Sequence, residues 1–206
     1  MKNVKVLVLF FLISTILLYV GPAWANEKLL IGNLGINILL PRNYKIIHPS
    51  QWKSDLAKGQ QFIMKNPFDF DYLIQKSTQD GKDVVPFESS YFLIKSKHTR
   101  GITDDEFKFY VEKYYFNWDE VIKEKQEQGL LSNLIKSQVV QRPTVDYHNK
   151  TVTLRASMEL GEIKEIQAMF SAFFPTGNLV ILFTQTSKYD EADFEFLIKN
   201  ISQRPN

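Results

Sequence analysis

Leu179-Val180-Ile181-Leu182-Phe183 is a run of five apolar residues that follows Pro175-Thr176-Gly177-Asn178 directly. The four residues before it are a turn signal, because glycine supplies a positive φ without steric cost. A strand that is apolar on both faces needs cover on both, so it belongs in the interior of a sheet. The chain just before it supplies neighbours, and residues 138–186 read as two successive β-hairpins. From Thr151 to Leu160, Val152, Leu154, Ala156, Met158 and Leu160 alternate with Thr151, Thr153, Arg155, Ser157 and Glu159, the period of two of a half-buried strand. A tight turn at His148-Asn149 sets Val145 opposite Val152. In the strand over 163–174, Ile166, Ala168, Phe170, Ala172 and Phe174 share one face, with Met169 and Phe173 on the other.

The first 25 residues have the three parts of a secretory signal peptide. Lys2 and Lys5 precede an apolar run from Val6 to Val20, and Ala23-Trp24-Ala25 is a small-x-small cleavage site. An uncleaved membrane anchor is the alternative, but a spanning helix needs about 20 apolar residues, and Gly21-Pro22 ends this run early. The expectation is a leader over 1–25, one α+β domain over 26–206, and a periplasmic or extracellular destination. Loss of Lys2 and Lys5 brings the 25 basic residues level with the 23 acidic ones. That balance, without basic runs, argues against general nucleic-acid binding. The chain has no cysteine, which removes disulfides, thiol catalysis, cysteine–metal sites and a lipid-modified cysteine together. Export without cysteine fits a bacterial envelope better than a eukaryotic secretory route.

Residues 28–41 read as one or two strands with a turn at Gly32-Asn33, and 48–60 as a helix capped by Ser50 with Trp52 and Leu56 at helical spacing. Phe62-Ile63-Met64 is a strand candidate. Residues 66–90 are the least regular part, with a strand at Tyr72-Leu73-Ile74, and Tyr91 to Lys95 form a clearer one. Thr103-Asp104-Asp105-Glu106 is a capping box. It opens a helix with an apolar stripe of Phe107, Tyr110, Val111, Tyr114, Trp118, Val121 and Ile122, supported by the pairs Asp104–Lys108 and Asp119–Lys123. Gly129 ends it, and Leu130 to Ile135 add a further helical turn. Residues 188–201 read as a second amphipathic helix that buries Phe194, Leu197, Ile198 and Ile201.

No catalytic or metal motif stands out. His48, His98 and His148 are far apart in sequence and lack ligand spacing. Asp69 and Asp71 lack the glycine and terminal glutamate of a calcium loop, so a solvated loop competes with a cation there. Nucleophile elbows and phosphate-binding loops are missing. The expectation is therefore no catalytic residue, no metal and no cofactor. On the long helix, Phe109 and Phe116 are seven apart and face away from the stripe, among Glu112, Lys113 and Glu120. They are either covered by another segment, such as 66–90, or available to a partner. Tyr110, Tyr114 and Trp118 would instead line a pocket if the chain carried a small apolar ligand.

The tail IQAMFSAFFPTGNLVILFTQTSKYDEADFEFLIKNIS, a hairpin with a short turn leading into a closing helix, resembles the C-terminal part of the PsbP/DcrB-like group. The early strand ending in Leu-Pro-Arg-Asn-Tyr extends that resemblance in outline over 29–202. It implies an α/β/α sandwich with a mostly antiparallel central sheet, and a non-enzymatic accessory, binding or assembly role. No site motif is shared, so no functional residue carries over. The reading is an exported binding protein that acts through a protein partner in the envelope. An immunity or inhibitor protein against an exported toxin and a carrier of a small apolar ligand are the alternatives. When expressed with its leader in a bacterial host, the chain should yield a protein that begins at Asn26 by intact mass. Ala25→Leu should leave the precursor uncleaved.

Overall fold

The computed structural model describes residues 26–63, 69–77, 86–87, 89–129, 131, 136–160, 163–185 and 190–203. The leader, its cleavage site and most of the helical turn expected over Leu130–Ile135 lie outside the described residues. The elements in chain order are β1 (Lys28–Ile31), β2 (Ile36–Leu39), β3 (Tyr44–Ile47), α1 (Pro49–Ile63), β4 (Tyr72–Lys76), β5 (Tyr91–His98) and α2 (Asp104–Val111). A π-helical turn (Glu112–Phe116) joins α2 to α3 (Trp118–Glu127). Then come β6 (Lys136–Asp146), β7 (Thr151–Leu160), β8 (Ile163–Phe174), β9 (Gly177–Gln185), α4 (Glu191–Lys199) and β10 (Ile201–Gln203). A seven-stranded sheet has the order β3-β4-β5-β9-β8-β7-β6, and a small sheet has the order β1-β2-β10. Every pairing is antiparallel.

The doubly apolar strand β9 is the fourth of the seven, at the centre of the sheet. Leu179, Ile181 and Phe183 point to one face, where Phe92 and Ile94 of β5, Phe170 of β8, Phe194 and Leu197 of α4, and Ile36 and Ile38 of the small sheet join them. Leu182 points to the other face, toward Leu73, Leu93 and Trp52 of α1. Farther along that second face, Val152 and Leu154 of β7 pack against Phe107, Val111 and Tyr115. The architecture is thus α+β, an α/β/α sandwich with an antiparallel centre. One outer layer is α1 with the long helix, and the other combines α4 with the small sheet.

The turns follow local chemistry. Val145 does pair with Val152, across a turn held by Asp146, whose carboxylate accepts the N–H groups of His148 (2.9 Å) and Asn149 (3.0 Å). The positive φ falls on Lys150 (50°). Between β8 and β9 the loop is Pro175-Thr176, and Gly177 opens the strand with φ 151°. A Cβ on Gly177 would lie 2.1 Å from the Lys97 carbonyl oxygen, so the approach of β5 demands glycine there.

Four local expectations change. Phe62 and Ile63 end α1 rather than form a strand, since three apolar residues have no period of their own and the helix runs through them; Met64 is outside the described residues. The start of α1 is capped by His48 rather than Ser50: Pro49 occupies the first helical position, and the Ser50 N–H donates to His48 Nδ1 at 3.3 Å. Ile201 belongs to β10, because α4 stops at Lys199 and Ile201 pairs with Ile38. Asp104 pairs with Lys150 at 2.9 Å, and Lys123 with Glu127 at 3.9 Å.

The stripe on the long helix also changes register. Phe107, Val111 and Tyr115 are buried at spacings of four. An α-helix turns every 3.6 residues, so such a spacing drifts off the seam; the wider π turn over 112–116 absorbs the drift. Tyr115 therefore takes the buried place expected for Tyr114, which is 38% exposed. The Tyr115 hydroxyl meets Ser171 Oγ at 2.6 Å, and burial raises the phenol's pKa well above its ordinary value, keeping it neutral. Tyr115→Phe would leave the buried Ser171 hydroxyl unpaired and should cost about 1–3 kcal/mol in chemical denaturation. Tyr114→Phe should change stability by less than about 0.5 kcal/mol. The reverse order would place Tyr114 in the seam.

Candidate functional site

The long helix is fixed at its start before it presents anything. Thr103 Oγ1 accepts the Glu106 N–H at 3.2 Å, and the Glu106 carboxylate accepts the Thr103 N–H at 2.8 Å, so the capping box is formed. Arg100 grips both carboxylate oxygens of Glu106. Lys150 reaches from the β6–β7 turn to Asp104 and to the Ile102 carbonyl oxygen, at 2.9 and 2.7 Å. Inward, Tyr110 packs edge-on to Phe173 with ring centroids 4.9 Å apart, and Trp118 Nε1 donates to Ser137 Oγ at 3.0 Å.

Outward, Phe109 is 63% and Phe116 52% exposed. Lys113 lies between Phe109 and Tyr114, its ammonium 5.8 Å from the first ring centre and 5.2 Å from the second, within cation–π range. Glu112 is exposed beside it. The described parts of 66–90 pack elsewhere: Phe70 joins Leu73 and Leu93, and Phe87 lies edge-on to Tyr91. Of the expected pocket trio, Tyr110 and Trp118 border the core, and Tyr114 is on the exposed face with its ring centre 5.2 Å from that of Tyr110.

A cleft of about 1110 Å³ opens on the opposite face of the sheet, between the β6–β7 turn and β10, and its lining includes none of that trio. Sequence reasoning did not find it, because its walls come from residues about 50 to 100 positions apart. Reasoning along the chain also missed the buried Asp190. Its carboxylate takes the Lys76 ammonium at 2.5 Å and the Ser90 hydroxyl, and Lys76 also reaches Asp193 at 2.9 Å.

The histidines stay separate: His48 is at the start of α1, His98 lies 3.3 Å from the Asn33 carbonyl oxygen, and His148 is in a turn. Asp71 accepts from the Ser96 N–H (2.7 Å) and hydroxyl (2.8 Å), and Asp69 pairs with Lys53 at 3.1 Å. Among the described residues, no group of three or more His, Asp or Glu side chains could hold a metal ion. No helix among them is long and apolar enough to cross a membrane.

No protein-family profile matches the chain, and no curated protein does. Solved structures similar to it include cyanobacterial PsbP (CyanoP) from Synechocystis sp., at 9% identity and a TM-score of 0.45, with 89% of this chain and 96% of that one covered. A crystal structure from Bacteroides thetaiotaomicron is similar at 8% identity and a TM-score of 0.43, over 88% of this chain. The chain spans 50% of the length of that protein.

The Arg100 guanidinium, and next the Thr103 N–H, hold the Glu106 carboxyl down to a pKa of about 2. Because the folded pKa is below the ordinary 4.5, the helix-start contribution should be complete above about pH 4.5 and fade as the pH falls toward 2. NMR titration of Glu106 should give the low value, and Arg100→Ala should move it upward. An unchanged value in the variant would leave the cap to Thr103 alone.

Proposed function

We propose that the mature chain, residues 26–206 after loss of the leader, is an exported, non-enzymatic accessory protein. It binds a protein partner in the bacterial envelope through the outer face of the long helix. The observation that carries this reading is the exposure of Phe109 and Phe116, 63% and 52%, on a helix face whose exposed neighbours include the charged Glu112, Lys113 and Glu120. Two phenyl rings in water forgo the stabilisation of burial, and aromatic anchors contribute a large part of the binding energy where they enter a partner's pocket. Lys113 between Phe109 and Tyr114, with Glu112 alongside, would supply a polar rim. An immunity or inhibitor role against an exported toxin uses the same surface and differs only in the partner.

A photo-crosslinking residue at position 109 or 116 should yield one discrete adduct in envelope-containing cells, and the same residue at exposed Lys45 should not. Phe109→Glu combined with a crosslinker at 116 should abolish the adduct. Equal labelling from positions 45 and 109, or no adduct from 109 and 116, would overturn the reading.

A further inference from the structure

Strand β6 ends the seven-stranded sheet on one side and is poorly suited to accept another strand. Its register with β7 shifts twice, between Val139 and Gln141 and between Gln141 and Thr144. Pro143 has no N–H to offer, and Lys136 and Arg142 are exposed along the strand. Irregularity, proline and charge are, with shortness, among the means by which sheet edges resist further pairing. Strand β10, an edge of the small sheet, is short, at three residues, but lacks the other three. Ile201-Ser202-Gln203 is uncharged, free of proline and in unbroken register with β2.

The backbone indicates where the outer groups of β10 point. The Leu39 N–H donates to the Asn200 carbonyl oxygen at 3.2 Å. Directly opposed residues in an antiparallel pair alternate between hydrogen-bonded and non-hydrogen-bonded. Ser202 with Asn37 is therefore the next bonded pair, and the N–H and C=O of Ile201 and the N–H of Gln203 point away from β2. Ile201 and Gln203 are also the β10 residues that line the large cleft.

The floor of the cleft is the face of β8 and β7, with Phe170 and Ala172 apolar and Thr151 and Thr153 bearing hydroxyls. Charge stays at the rim, on Lys199, Asp146 and Lys150, and the Lys150 ammonium is already held by Asp104. The layer that helps bury β5, β9 and β8 on this face covers β7 only in part, where Arg155 meets Glu191, Glu195 and Phe194 of α4. At about 1110 Å³ the space is above the range of about 300–1,000 Å³ usual for small-molecule sites.

We infer that this cleft receives an extended peptide segment of a partner protein, added as a fourth strand at the edge of β10 that no described strand occupies. Backbone bonds to Ile201 and Gln203 supply affinity, and every second side chain rests on Phe170 and Ala172. The neutral floor selects uncharged side chains on the buried side of the peptide, and the mixed charge of the rim tolerates polar ends. The surface is on the opposite face of the sheet from Phe109 and Phe116, so this inference goes beyond the helix reading and stands without it.

The test is selection of the mature protein against a displayed pool of octapeptides with Val, Ile, Leu or Phe at alternate positions and Ser, Thr, Asn or Gln between them. A control pool of the same composition has the apolar residues in adjacent pairs. The alternating pool should be enriched, and its synthesised binders should slow hydrogen exchange at the Ile201 and Gln203 amides. Gln203→Pro removes one outward N–H at the strand's last residue, and Thr153→Trp fills the floor; each should weaken binding by about tenfold. Phe109→Glu should leave it unchanged. The inference is overturned by failure of the alternating pool to enrich, by protection along β6 instead of β10, or by equal binding to both cleft variants when these melt like the parent.

Discussion

The structure depends on one strand being covered from both sides. Leu179, Ile181 and Phe183 of β9 are each 1% exposed or less, and Leu182 packs into the separate cluster behind the sheet. Burying such a strand takes two covering layers, and the rest of the chain supplies them. The stacked rings of Phe92, Phe183 and Phe194, with centroids 4.6 and 5.6 Å apart, run from β5 through β9 to α4. One aromatic column therefore ties the two central strands to the closing helix. Gly177 is the geometric price at the start of β9, where the Lys97 carbonyl allows no Cβ.

Polar ties then fix what the apolar core leaves free to slide. Lys76 on β4 bridges Asp190 and Asp193 at the start of α4. Arg155 on β7 bridges Glu191 and Glu195 at 3.1 and 2.6 Å, with its guanidinium over the Phe194 ring. Tyr44 borders the first group; burial first, then the charges of Asp193 and Asp190, push its phenol pKa up, so it stays neutral beside them. The two ties pull α4 toward opposite halves of the sheet. They set how far the helix reaches over β7 and thus how much of that face stays open as the cleft.

Much of this order was legible along the chain because it rests on short-range rules. The alternation at 151–160, the Thr103–Glu106 box, the turn before Leu179 and the central place of β9 each follow from a few neighbouring residues. The exposure of Phe109 and Phe116 could be framed as a question but not answered, since it depends on what the rest of the fold covers. The swap of Tyr114 for Tyr115 was hidden because Tyr114-Tyr115-Phe116 is aromatic in any register, and only the need to meet Ser171 selects one. The polar side of β7 proved half covered for a similar reason: the acidic partners of Arg155, Glu191 and Glu195, lie about 40 residues downstream. Asp190 and Lys76, 114 residues apart, left no local trace of each other.

The small sheet has a mechanical consequence. Strands β1 and β10 both run antiparallel to β2 and flank it on either side, so they are parallel to each other. Lys28 lies opposite Leu39 at one end of β2, and Gln203 lies opposite Ile36 at the other. Tension applied between these two residues therefore acts along the strands and loads both ladders in shear. All of their hydrogen bonds must yield together rather than peel one at a time. A chain held in this way between two attachment points would resist extension most strongly at its smallest sheet.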